Sequence, residues 1–152
     1  MSMLKDRLKA DLTDAMKSRD ELRTATLRMA LAALTTEEKS GGEERELTDD
    51  EVLRVLGREV KKRREAAEGF AAGGRADSAN RERAEGEVLE GYLPAQLSDQ
   101  ELAELVDAAV AEAAATGPQQ MGAVMKLLTP RVAGRVDGGR VAAAVKQRLA
   151  GS

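Results

Sequence analysis

Met121-Gly122-Ala123-Val124-Met125-Lys126-Leu127-Leu128-Thr129-Pro130, with the run from Arg131 to Leu149 behind it, reads as two short helices joined by a glycine-bearing corner. Met121, Val124, Met125 and Leu128 fall on one helical face by the i, i+3, i+4, i+7 rule. Pro130 is expected to stop that helix, because proline lacks the N–H and disfavours helical backbone at Thr129. Gly134-Arg135-Val136-Asp137-Gly138 follows, with Asp137 placed to cap the next helix through its carboxylate. That last helix buries Val141, Val145 and Leu149, each four residues from the next. From Gly122 onward the basic residues are Lys126, Arg131, Arg135, Arg140, Lys146 and Arg148, and the one acid is Asp137. A polyanion, if the chain binds one, belongs here.

Working back along the chain, other helical stripes appear. Leu4, Leu8, Leu12 and Met16 sit four apart in the first 18 residues. Asp20 can cap a second helix that faces Leu27, Leu31 and Leu34 inward, with Leu22 and Met29 widening the stripe. Thr48 and Glu51 spell a capping box, and Leu47 and Val52 a hydrophobic staple, at the start of a third. Its apolar face is Val52, Val55, Leu56 and Val60, with Phe70 further along, and Gly73-Gly74 ends it. Asp77 is expected to start a fourth helix, which must stop before Pro94. The capping signature then recurs at Ser98 and Glu101. The fifth helix buries Leu102, Leu105, Val106, Ala109 and Val110 and is otherwise acidic. Gly117-Pro118 breaks it, with Pro118 suited to the first position of helix six.

No segment alternates apolar and polar residues over a useful length, so the expected fold is all-α. An N-terminal four-helix domain spans residues 1–94, and a C-terminal three-helix bundle spans residues 95–152. Phe70 and Tyr92 are the only aromatic residues among the 152. The cores must therefore be leucine, valine, methionine and alanine. Such a chain also lacks the stacking platform used to read unpaired bases.

Charged residues make up 34% of the chain, yet the formal net charge is only −3. Total charge thus argues for no partner, and its distribution has to. Cysteine and histidine are both absent. That removes disulfides, cysteine/histidine zinc sites, the commonest general base and the best amide nucleophile. The serines lie at termini, caps or loops, and Asp49-Asp50 and Glu43-Glu44 read as charges near a helix start or in a loop. No catalytic residue, metal site or cofactor site is expected. No apolar run approaches the roughly 20 residues that cross a bilayer, and no secretory signal precedes the first helix. No membrane partner and a cytoplasmic location are the expectation. The basic run Lys61-Lys62-Arg63-Arg64 reads first as a solvated helix face with Glu59 and Glu65 as partners.

Glu90-Gly91-Tyr92-Leu93-Pro94-Ala95-Gln96-Leu97-Ser98, Met121 to Lys126 and Gly134 to Gly138 together resemble the YqeY family, with earlier matches at Leu27-Arg28-Met29 and Lys61 to Glu65. The resemblance covers nearly the whole chain. That family is related to the C-terminal tail of GatB, a subunit of the glutamine-dependent tRNA amidotransferase, where the tail helps hold tRNA. The resemblance implies tRNA or another structured RNA as partner, contacted at its phosphates by Lys126, Arg135, Arg140 and Lys146, and the local basic excess adds Arg131 to these candidate RNA contacts. It gives Gly122, Gly134 and Gly138 geometric roles at close packing and the corner, with Asp137 as cap. Val136 stands where the family usually has alanine. The resemblance also implies carbon–nitrogen ligase activity with glutamine as amido donor. Nothing in this chain replaces an amidase or an activating site, so that activity would need amidotransferase subunits. A module that docks a protein instead of RNA is the other open reading, and helix five could neutralise part of the basic face.

Overall fold

The computed structural model describes residues 2–151. Seven α-helices occur among them, and no strand: α1 Met3–Lys17, α2 Glu21–Lys39, α3 Asp49–Ala72, α4 Ala76–Glu90, α5 Asp99–Ala113, α6 Met121–Val132 and α7 Gly138–Ala150. The all-α expectation holds, with four helices before Pro94 and three after it. The chain divides into two compact units, Met1–Leu93 and Pro94–Ser152.

In the first unit the helix starts follow their caps. Asp20 accepts from the Arg23 amide at 3.1 Å. Thr48 and Glu51 close their capping box reciprocally, each side chain accepting the other's backbone N–H. Leu8, Leu27, Leu34, Val52 and Leu56 are fully buried in one core that also holds Leu47 and Leu89. Each leucine buried this way contributes about 2–3 kcal/mol of transfer free energy.

Two expectations fail here for physical reasons. Met16 is 43% exposed, and Ala15 is buried in its place. A strict four-residue spacing drifts about 40° per step on a 3.6-residue helix, so by the fourth position the stripe has walked off the core. Asp77 does not cap α4. The cap position is Arg75, which makes no side-chain cap bond, and Asp77 sits in the first turn. There its charge still favours the helix N-terminus.

The second unit packs Leu102, Val106, Ala109, Val124, Leu128, Val141, Val145 and Leu149 into its own core. Ser98 and Glu101 form the second capping box. Pro118 opens a 3-10 turn, Pro118–Gln120, that leads directly into α6. Pro130 does not end that helix, which continues to Val132. The lost N–H deprives only the Lys126 carbonyl, four residues back, on the exposed side of the last turn. Val132, 5% exposed in the core, anchors the residues beyond. The Asp137 carboxylate accepts the Gly139 amide at 3.1 Å and starts α7.

Candidate nucleic-acid interface

α6 and α7 carry no acidic residue, whereas α5 carries Asp99, Glu101, Glu104, Asp107 and Glu112. Side-chain pairing between them sorts the basic residues of α6 and α7 into two groups. Arg131 on α6 makes a two-pronged pair with Glu112 of α5, its Nη2 donating to Oε1 at 2.9 Å and its Nη1 to Oε2. Arg140 on α7 donates to Asp99, and Arg148 donates to Asp107 at 2.9 Å. The last two rungs are eight residues apart on both helices, so α5 and α7 run in the same direction. The hydrogen bond from Arg131 holds the Glu112 carboxyl below its ordinary range, and the same bond raises Arg131.

Lys126 and Lys146 form the second group. Both are exposed, and neither makes an ion pair among the described residues. At 3.6 residues per turn, Lys126 lies about 140° around α6 from Arg131. Lys146 lies about 160° around α7 from Arg148 and about 120° from Arg140. The two lysines therefore fall on the side of the unit turned away from α5.

Arg135 belongs to neither group. Its Nε donates to the Ala95 carbonyl at 3.2 Å, and its own carbonyl accepts the Leu97 amide at 2.8 Å. Gln96 Nε2 donates to the Gly134 carbonyl at 2.8 Å. The α6–α7 corner is thus stitched to the segment that enters α5. Nothing in the sequence announces this, since a loop and a corner some 38–40 residues apart share no periodic pattern. Glu101 is held below its ordinary range chiefly by the Ser98 amide and hydroxyl, with the Arg135 charge adding a smaller pull.

The glycines differ. Gly134 has φ of 72°, a left-handed backbone that the corner requires. A Cβ at Gly122 or Gly138 would meet nothing within 4 Å, so packing inside the chain requires glycine at neither.

The basic run on α3 is committed locally. Lys62 and Arg63 both reach the buried Glu59 at 3.2 Å, Arg63 also approaches Glu82 at 3.6 Å, and Arg64 meets Glu90 at 3.3 Å. Among the described residues no group of three or more carboxylates stands together as metal ligands would. No helix there is long and apolar enough to cross a membrane.

A family model described as Yqey-like protein matches residues 5–149. An uncharacterised protein of Schizosaccharomyces pombe is 35% identical over 92 residues, which cover 60% of this chain and 73% of that protein. Altered inheritance of mitochondria protein 41, mitochondrial, of Clavispora lusitaniae is 33% identical over 99 residues. That match covers 64% of this chain and 56% of the relative, so this chain spans little more than half of it.

Proposed function

The chain belongs to the YqeY family, and from that premise we propose that it is an accessory RNA-binding protein. In this reading α6 and α7 lie against the phosphates of tRNA or another structured RNA. The observation that carries the reading is the acid-free pair of helices, α6 and α7, with Lys126 and Lys146 exposed on the side away from α5 and in no ion pair among the described residues. Lysines on rigid helices follow a phosphate backbone without reading bases, as suits a chain with two aromatic residues. Arg135, half-buried and spending its Nε on Ala95, contributes its remaining guanidinium donors at the corner. The likeness to the amidotransferase tail points to the same partner. No bond-making step is assigned to this chain, and any carbon–nitrogen ligase chemistry would belong to a complex that it joins.

The test is binding to bulk tRNA across a salt series, wild type beside Lys126→Glu/Lys146→Glu. Expected are affinity that falls with salt and a double variant that binds more weakly, with a slope shallower by about two phosphate contacts. A variant with unchanged affinity and slope would remove the reading.

A further inference from the structure

The three arginine–carboxylate pairs across the second unit do more than fasten helices together. Each takes an arginine from α6 or α7 and turns it to α5. Without them, Arg131, Arg140 and Arg148 would add to the positive field of Lys126 and Lys146. Residues 94–152 hold six acids and six bases, so the unit is formally neutral, and the three paired carboxylates account for that balance. The pairs are not sealed in. Glu112, Asp99 and Asp107 are 51%, 96% and 61% exposed, and their arginines 35%, 46% and 43%. Exposed pairs of this kind contribute little to stability and are screened by salt, so little free energy holds each arginine to its carboxylate. A guanidinium fork donates to phosphate in the same two-pronged geometry with which Arg131 donates to Glu112.

We infer that α5 is a built-in competitor for polyanion, its Asp99, Asp107 and Glu112 occupying the arginines that RNA phosphates would otherwise bind. The inference rests on the RNA reading above and adds to its two lysines the three arginines that face α5. The resident carboxylates lower affinity for any stray polyanion. They let go where a ligand brings several phosphates at once, so a folded RNA that spans α6 and α7 outcompetes short or sparse anions. Binding then changes the arginines' partners without moving a helix.

The experiment compares two triple variants for binding to bulk tRNA over the same salt series. Asp99→Asn/Asp107→Asn/Glu112→Gln removes the three α5 carboxylates from their arginines. Glu43→Gln/Glu44→Gln/Glu68→Gln makes the same change in net charge at exposed positions of the first unit. The expected result is affinity at least ~10-fold higher for the α5 variant, with a salt slope steeper by up to about three phosphate contacts. The control should gain much less. Equal gains in the two triples, or wild-type affinity in the α5 triple, would overturn the competition. If the α5 triple loses its helical circular dichroism, Glu112→Gln against Glu44→Gln decides by the same comparison. The lysine variants report separately on the parent reading: if they weaken binding and the α5 triple gains nothing, RNA binding stands and the competition falls. Absence of binding by every form would sink both.

Discussion

Tyr92, the one tyrosine of the chain, donates its hydroxyl to Asp11 across 2.5 Å, joining positions 81 residues apart. The Arg7 guanidinium lies 4.7 Å from the centre of its ring. The pair fastens the segment after α4 to α1 within the first unit.

Burial, then the Asp11 hydrogen bond and charge, push the Tyr92 hydroxyl up to about 12. Its folded value lies above its unfolded value of 10.0, so the stability it contributes is complete below pH 10 and is lost as pH climbs towards 12. A tyrosinate absorbance titration, unambiguous with one tyrosine, should show its midpoint near 12 in the folded protein. Tyr92→Phe should cost about 1–2 kcal/mol at neutral pH and flatten the loss of stability between pH 10 and 12 relative to wild type. An ordinary midpoint near 10 would mean that the hydroxyl is not held as described.

Ala114 caps α5 in the left-handed region, with φ of 51°. A Cβ is strained there and glycine is not, so Ala114→Gly should stabilise the protein by about 0.5–1 kcal/mol in urea. A loss of stability would show that the strain is absent.

Pro130 lies inside the last turn of α6 and is exposed. Restoring the N–H with Pro130→Ala should return the helical bond to the Lys126 carbonyl. The gain should be about 1 kcal/mol net, since greater unfolded-chain entropy offsets part of it. A midpoint shifted downward would mean that the proline, not Val132, holds this turn.

Leu128 is fully buried among Val124, Val132 and the valines of α7. Leu128→Ala should cost about 2–5 kcal/mol, through lost transfer free energy and the cavity left behind. A cost under about 1 kcal/mol would require a core that collapses freely around the gap.

What the sequence revealed about the fold follows the range of each interaction. Caps are local, so Asp20, Thr48 with Glu51, Ser98 with Glu101 and Asp137 were readable within four residues. Stripes were readable over about two turns and then drifted, which is why Leu8 is in the core and Met16 is not. The stop at Pro130 misled because a local breaker was outweighed by Val132, whose anchoring depends on α5 and α7. The acidic character of α5 suggested that it could neutralise part of the basic face. Which arginines it would take could not be read, because that depends on the angle each side chain holds around its helix. The Arg135–Ala95 and Gln96–Gly134 bonds left no trace, being set by tertiary closure alone.

The most direct test of the central claim is lysine footprinting: the rate of chemical acetylation at each lysine, read by mass spectrometry with and without bulk tRNA. Lys126 and Lys146 should be protected together, by several-fold, while the exposed Lys9 and Lys17 of α1 keep their free-protein rates. Protection of Lys9 and Lys17 with Lys126 and Lys146 unchanged would contradict the account and place the RNA on the first unit.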